Sequence, residues 1–174
     1  MPRTLHHAPK PLIAWREAQI AALSDPAQPR AKGSIRISDD EIRESLEGAQ
    51  LKLQRERGTD LTIFSPRAAG MAHHIGDFQT SATWAAICNE LCARVAGLFP
   101  EHFIGAAMLP QSPGVDPATC LAEIDRCVNE YGFVAINLNP DPSGGHWTSP
   151  PLSDRHWYPV YERMVELDIP AMVH

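Results

Sequence analysis

Polar side chains follow each of the four short apolar runs in this sequence of 174 residues. In chain order they are Ser65 and Arg67, Gln111 and Ser112, Asn137 and Asn139 with Asp141, and His174. A guanidinium group grips a carboxylate through two parallel hydrogen bonds, and amides and hydroxyls can fix its orientation. The set contains no obvious nucleophile with a base beside it. These residue types therefore indicate a site for a small polyanion.

Each of these residues also has an ordinary structural interpretation. An arginine that follows a strand, such as Arg67, is commonly a surface or ion-pair residue. Asn137 and Asn139 are two residues apart on one strand and point to the same face. Because buried asparagine is uncommon, a polar site and a pair of loop-capping amides both remain open. Taken alone, the residues predict an anion-binding site and name no reaction.

Two pairs of adjacent histidines are further candidates for chemistry. They are His6 with His7 and His73 with His74. Neighbours in an extended chain point in opposite directions, so each pair can supply one ligand to a given metal ion. A histidine in a loop is otherwise solvent-exposed or held by a structural hydrogen bond, and that interpretation is favoured here.

The regular part of the chain begins with a helix predicted over residues 38–58. Ser38 and Glu41 have the spacing of a capping box, in which each side chain accepts a hydrogen bond from the backbone of the other. An apolar face then repeats at helical spacing, and Gly58 is predicted to end the helix. The members of that face are Ile42, Leu46, Ala49 and Leu53.

Helices and apolar runs alternate over the rest of the chain. The runs span 61–64, 103–109, 133–139 and 169–174, and the helices between them span 81–98, 117–131 and 154–167. Apolar strands separated by helices predict a parallel sheet that is buried on both faces. The carboxyl ends of such strands meet at one edge, where ligands bind. The polar residues named above should therefore come together there.

Composition excludes several classes of protein. Hydrophobic residues make up 44% of the chain and its net charge is -6, so wholesale disorder and a basic nucleic-acid surface are not expected. No apolar run approaches the roughly 20 residues of a membrane span, and the first residues lack a signal-peptide core. The four cysteines form no CxxC pair, which favours reduced thiols and the cytoplasm.

Five segments together resemble the 4-oxalomesaconate hydratases of the amidohydrolase superfamily, in the branch that includes the aminocarboxymuconate-semialdehyde decarboxylases. They are SDDEIRES at 38–45, TIFSPRA at 62–68, MLPQSP at 108–113, NLNPDP at 137–142 with GGH at 144–146, and IPAMVH at 169–174. The resemblance implies a single α/β domain, residues 1–174, with an irregular segment over 1–35. Its fold would be an incomplete (β/α)8 TIM barrel of the amidohydrolase type, with about strands 2 to 5 present.

The resemblance also implies a reaction. A hydro-lyase of this family adds water to the C=C bond of 4-oxalomesaconate, a small polycarboxylate, in protocatechuate and gallate catabolism. It uses one divalent metal, expected to be zinc, for which His174 matches the ligand on the fifth strand. The residues expected to contact the substrate are Arg67, Ser65, Asn139 and Gln111. The catalytic groups themselves are unknown and are expected in a C-terminal half.

The chain departs from the family pattern at both ends. The His-x-His metal motif aligns with Pro2 and Thr4, and the acidic metal ligand falls beyond His174. A catalytic zinc usually takes three protein ligands and a water. If these 174 residues are the whole protein, we expect weak or absent metal binding and no hydration; if they are a fragment, we expect the parent protein to be the hydratase. Two alternatives are a decarboxylase or hydrolase of the same branch and a non-catalytic remnant. Either a homo-oligomer or self-association through exposed barrel edges is expected.

Overall fold

The computed structural model describes residues 37–67 and 71–174, together with Ala14, Glu17, Ala18 and Ala21. The strands are β1 (Thr62–Phe64), β2 (Phe103–Met108), β3 (Ala135–Leu138) and β4 (Ala171–Val173). The helices are α1 (Asp39–Gly48), α2 (Gln50–Arg57), α3 (Phe78–Leu98), α4 (Leu121–Asn129) and α5 (Tyr158–Glu166). Single 3-10 turns, Pro117–Cys120 and Arg155–Trp157, lead into α4 and α5. His6, His7, Pro2 and Thr4 lie outside the described residues.

The four strands form one parallel sheet in the order β1-β2-β3-β4. Helices connect successive strands, as the alternation of helices and apolar runs predicted. In the register, Met108 lies opposite Asn137, and Leu138 lies opposite Val173. A parallel sheet whose strands follow chain order is the arrangement of consecutive βα units in a barrel. The predicted α/β fold of a partial TIM barrel is confirmed.

The capping box at the start of α1 is present as predicted. The hydroxyl of Ser38 accepts a hydrogen bond from the backbone N–H of Glu41, and the Glu41 carboxylate accepts one from the Ser38 backbone at 2.8 Å. Gly58 ends α2 in the left-handed conformation, with φ of 64°. These local signals act within one turn of helix, so the sequence alone is enough to predict them.

The single helix predicted over 38–58 is instead two helices, broken at Ala49. This residue has φ of -126° and ψ of -87°, outside the helical region. The break changes the face that α2 buries, so that Leu51 and Gln54 are buried while Leu53 is 45% exposed. The predicted apolar face is therefore right for α1 and wrong for α2.

Burial differs between the inner and outer strands. β2 and β3 are almost wholly buried, whereas Ile63 of β1 is 55% exposed and Val173 of β4 is 57% exposed. The prediction of four buried strands is thus wrong for β1 and β4, because each has a neighbouring strand on one side only within the described part of the chain. The main core lies between β2, β3, α4 and α5. Its members include Leu109, Ile124, Cys127, Ile136, Leu138 and Val160.

A buried amide on α3 fixes the end of β2. Asn89 is fully buried; its Oδ1 accepts from the Met108 N–H at 2.9 Å, and its Nδ2 donates to the Met108 carbonyl at 2.8 Å. The same Nδ2 donates to Glu123 Oε1 at 2.6 Å, and Glu123 pairs with Arg126. The hydrogen bond from Arg126 to Glu123 raises the pKa of this guanidinium. Helices α3 and α4 are thereby joined to the last residue of β2.

The four cysteines are free and buried. Burial raises the pKa of the Cys120 thiol to about 12, and it also raises the pKa of Cys92. Thiols of this kind are inert packing groups, and they are free, as the prediction of reduced thiols requires. Separately, the described part of the chain contains no helix with the length and apolar character needed to cross a bilayer.

Candidate functional site

The carboxyl ends of the four parallel strands lie at one edge of the sheet, and a buried asparagine joins two of them. Asn137, in β3, donates from Nδ2 to Ser65 Oγ at 3.1 Å and to the Pro66 carbonyl oxygen at 3.0 Å. Ser65 and Pro66 follow β1 directly, so this bond reaches across β2. The structure therefore confirms that the polar residues after β1 and β3 come together.

The oxygen atom of the Asn137 amide makes no hydrogen bond with the described residues. This atom, Oδ1, is buried, and the whole side chain is 1% exposed. In the loop after β2, the buried hydroxyl of Ser112 also has no hydrogen-bond partner among the described residues. The sequence placed Asn137 in the polar set at this edge but did not name it among the residues expected to contact substrate. The available signal was an asparagine inside an apolar strand.

Gln111 and Asn139, both predicted to contact substrate, are joined by two hydrogen bonds. The Gln111 side chain accepts from the Asn139 backbone N–H at 2.8 Å and donates to the Asn139 carbonyl at 3.2 Å. Both residues are buried. This pair of bonds ties the loop after β2 to the end of β3, so the Gln111 amide positions this edge. A direct contact of either residue with substrate stays a prediction.

The loop after β3 is ordered around one carboxylate. Asp141 accepts hydrogen bonds from the backbone of Ser143 at 3.0 Å, Gly145 at 2.6 Å and Trp147 at 3.3 Å, and from the Ser143 hydroxyl. Desolvation raises the pKa of Asp141, but the bonds from Ser143, Gly145 and Trp147 outweigh it and lower that pKa below its ordinary value. The ionised carboxylate thus holds a segment that contains no helix or strand, as predicted for 140–152.

This loop packs against the loop that follows β1. Gly144, with φ of 76°, lies so close to the His74 ring that a Cβ would be 2.1 Å from its Cε1 atom. The ring centroids of His74 and His146 are 6.4 Å apart. His73 is buried, and its Nδ1 lies 2.5 Å from Ser81 Oγ. The structural interpretation of the His73–His74 pair therefore holds for His73.

Arg67 and His174 lie at the ends of the outer strands. Both are exposed, and the His174 backbone N–H donates to the Leu138 carbonyl at 3.0 Å. Among the described residues, no group of three or more His, Cys, Asp or Glu side chains is placed to hold a metal ion. A catalytic zinc site needs three protein ligands, so His174 with its described neighbours does not form one. Its role as a metal ligand stays a prediction.

The chain is similar to known proteins over almost its whole length. The sequence pattern of the amidohydrolase family matches residues 4–174. The chain is 58% identical over 168 residues to the 2-keto-4-carboxy-3-hexenedioate hydratase of Sphingobium sp. strain SYK-6, covering 95% of this chain and 48% of that protein. It thus spans about half the length of this curated relative.

Two solved structures share the fold. The 4-oxalomesaconate hydratase of Rhodopseudomonas palustris is 65% identical, with a TM-score of 0.87 over 96% of this chain and 49% of that one. The 5-carboxyvanillate decarboxylase of Novosphingobium aromaticivorans, solved with bound manganese, is 25% identical, with a TM-score of 0.61 over 72% of this chain and 33% of that one. The similarity to hydratases is much higher than the similarity to this decarboxylase.

Proposed function

Because this chain belongs to the amidohydrolase family, we propose that it forms part of a hydro-lyase that adds water to the C=C bond of 4-oxalomesaconate. The observation that carries the proposal is the high identity to two hydratases, 58% and 65%, over almost the whole chain. The polar edge of the sheet supports it, because a tricarboxylate needs several hydrogen-bond donors. The two hydratases are about twice as long as this chain, so the activity is proposed for a protein of their full length.

Two residues after β1 are proposed to bind a substrate carboxylate. Arg67 is exposed, and its guanidinium can grip a carboxylate through two hydrogen bonds. Ser65 accepts a hydrogen bond from Asn137, so its own hydroxyl proton is available to a carboxylate oxygen. Gln111 and Asn139 keep the neighbouring strand ends in register, and we also propose a polar contact of Asn139 with substrate.

A divalent metal is the proposed cofactor. The manganese in the related decarboxylase supports a metal of this charge, and zinc is the identity proposed here. When bound, such an ion supplies Lewis-acid polarisation and an activated water. His174 is the proposed ligand from the described residues, which do not complete a site, so the other ligands must come from elsewhere in the protein.

The test is a turnover assay with 4-oxalomesaconate. The protein is freed of metal with a chelator and then supplied with zinc or manganese. Loss of the enone absorbance, with a product heavier by one water, is the expected result. A folded, metal-loaded protein that leaves the enone unchanged would refute the proposal. The variant His174→Ala should lower the metal content of the protein, measured by atomic absorption, without changing its melting temperature.

A decarboxylase is the second candidate, favoured by the shared fold of 5-carboxyvanillate decarboxylase. The same incubation separates the two reactions, because decarboxylation releases carbon dioxide and shortens the carbon chain. Product analysis by mass spectrometry is sufficient. A product lighter by carbon dioxide would favour the decarboxylase, and a product heavier by water the hydratase.

The proposed setting is the cytoplasm, which the four free, buried thiols support. A homo-oligomer or self-association is also proposed. Its support is the apolar surface at both outer strands, since Leu61 and Ile63 at β1 and Met172 and Val173 at β4 are all 44% or more exposed. Exposed strand edges of this kind pair readily with other chains. Analytical ultracentrifugation would report a monomer if the proposal is wrong.

A further inference from the structure

The side-chain amide of Asn137 has a defined orientation. Its Nδ2 faces the Pro66 carbonyl oxygen at 3.0 Å and Ser65 Oγ at 3.1 Å. A carbonyl oxygen can only accept a hydrogen bond, so the group that faces Pro66 must be the amide NH2. Both N–H bonds are then committed, one to each oxygen. The remaining atom, Oδ1, is therefore a carbonyl oxygen that can only accept.

This acceptor is buried without a donor. Asn137 is 1% exposed, and its Oδ1 has no partner among the described residues. Buried polar atoms are nearly always hydrogen-bonded, because leaving one unpaired is costly. The atom lies at the edge of a parallel sheet where ligands bind. A donor group on the ligand would satisfy it.

The groups beside Asn137 Oδ1 are hydrogen-bond donors, whereas this oxygen is an acceptor. Because Ser65 Oγ already accepts from Asn137, its proton is free to be donated to an anion. Arg67 follows two residues later and brings a positive charge. The edge thus offers donors for a carboxylate beside one acceptor for an O–H group. A ligand that carries a hydroxyl next to a carboxylate matches this pattern.

We propose that Asn137 Oδ1 accepts a hydrogen bond from a hydroxyl group of a polycarboxylate, one of whose carboxylates contacts Ser65 and Arg67. This inference rests on the proposed function, because hydration of a C=C bond leaves a hydroxyl on one carbon and a hydrogen on the other. Asn137 is then a specificity-determining residue, which distinguishes a hydroxylated acid from the same acid without the hydroxyl.

Citrate and tricarballylate test this directly, because they carry the same three carboxylates and differ by one hydroxyl. Isothermal titration calorimetry is run on protein kept free of metal with a chelating resin, so that citrate gains nothing from chelation. We expect citrate to bind about tenfold more tightly than tricarballylate, the effect of one buried hydrogen bond. Equal affinities, or binding of neither acid, would overturn the proposal.

Two variants test whether the preference for citrate over tricarballylate comes from Asn137. In Asn137→Leu the ratio of the two affinities should fall to about one, while tricarballylate binding changes less. In Ser65→Ala both affinities should fall together and the ratio should persist, because the hydroxyl of Ser65 serves the carboxylate. A ratio lost in Ser65→Ala or kept in Asn137→Leu contradicts the assignment. If Asn137→Leu fails to fold by circular dichroism, the wild-type ratio and Ser65→Ala still decide the matter.

The two proposals fail in different ways. A protein that hydrates 4-oxalomesaconate but binds citrate and tricarballylate equally keeps its proposed function and loses the role of Asn137. A protein that prefers citrate but leaves 4-oxalomesaconate unchanged has a hydroxy-acid site and a different reaction.

Discussion

The ends of the inner strands and the ends of the outer strands are held in different ways. At the ends of β2 and β3, buried amides bond to backbone groups, as Gln111 does with Asn139 and Asn89 does with Met108. At the ends of β1 and β4, Arg67 and His174 are exposed. The inner ends therefore keep their geometry through bonds within the described part of the chain.

The inner strand ends support the edge of the sheet, whereas the outer strand ends carry the residues proposed to bind ligands. Amides that are fully engaged with backbone groups make the edge rigid, but they have little capacity left for a ligand. Arg67 and His174, which are proposed to bind substrate and metal, follow the outer strands, where they are accessible. Asn137 connects the two regions, because it lies on an inner strand and bonds to Ser65 after an outer one.

The largest expected effect is the loss of packing at an inner strand. Ile136 is fully buried, so Ile136→Ala should lower the free energy of unfolding by about 2–5 kcal/mol. The matched control is Ile63→Ala in β1, where 55% exposure predicts a change within about 0.5 kcal/mol. Urea unfolding measures both. Equal losses of unfolding free energy in the two variants would show that β1 is covered in solution. The inner and outer strands would then not differ in burial.

The next effect concerns the clamp between β2 and β3. Gln111→Met keeps the shape of the side chain but removes its hydrogen bonds to both backbone groups of Asn139, and should cost about 1–3 kcal/mol. Gln50→Met, at an exposed position of α2, is the control and should change stability little. If the two variants unfold at the same urea concentration, the clamp is not a source of stability.

The contact between the β3 loop and the β1 loop should be sensitive at Gly144. Gly144→Ala forces a Cβ into a left-handed residue, at about 1–2 kcal/mol, and displaces the His74 ring. At Gly145, which has φ of 98° and open space around it, the same change should cost only the backbone strain. Adding His74→Ala should bring the Gly144 cost down to that of Gly145. A thermal melt of each variant checks this, and unchanged costs in the double variant would rule out the contact.

At the outer strand, substitution should affect binding and leave stability alone. Arg67→Ala is expected to weaken tricarballylate binding about tenfold, the effect of one charge-assisted hydrogen bond of about 1.4 kcal/mol, with an unchanged melting temperature. Arg57→Ala, at another exposed arginine, is the control and should leave binding as it is. A lower melting temperature for Arg67→Ala with unchanged affinity would show that Arg67 stabilises the fold and does not bind the ligand.

The smallest effect is a pH dependence of the loop after β3. Because the folded pKa of Asp141 is lowered, its carboxylate stabilises the loop above the unfolded pKa of about 3.9, and this stability is lost as the pH falls through the folded value. The melting temperature of wild type minus that of Asp141→Asn should therefore shrink below about pH 4. A difference that stays constant down to pH 2 would contradict it.

Much of the fold could be predicted because its signals are local. The capping box of Ser38 with Glu41 and the stop at Gly58 each act within a few residues. The break at Ala49 was not predicted, because the glycine beside it, Gly48, weakens a helix but does not by itself end one. The burial of Leu51 in place of Leu53 follows from that break.

The candidate site was predictable as a set of residues and not as a set of contacts. Ser65, Gln111 and Asn139 lie at the expected edge. The sequence selected Gln111 and Asn139 for substrate. In the structure Gln111 bonds to the backbone of Asn139, and Asn137 Oδ1 is an acceptor with no partner within residues 37–67 and 71–174. Amide side chains of the same type at the same edge differ only in their partners, and residue type does not specify partners.

Apart from the break at Ala49, the sequence by itself determined the order and kind of the elements, the parallel sheet and the polar character of its carboxyl edge. These follow from periodicity and from residue type, which are properties of short stretches of chain. The tertiary structure decided which strands are buried and which amide oxygen at that edge has no hydrogen-bond partner among the described residues. Those properties depend on atoms far apart in the chain, since Asn137 and Ser65 are 72 residues apart and Gln111 and Asn139 are 28 apart.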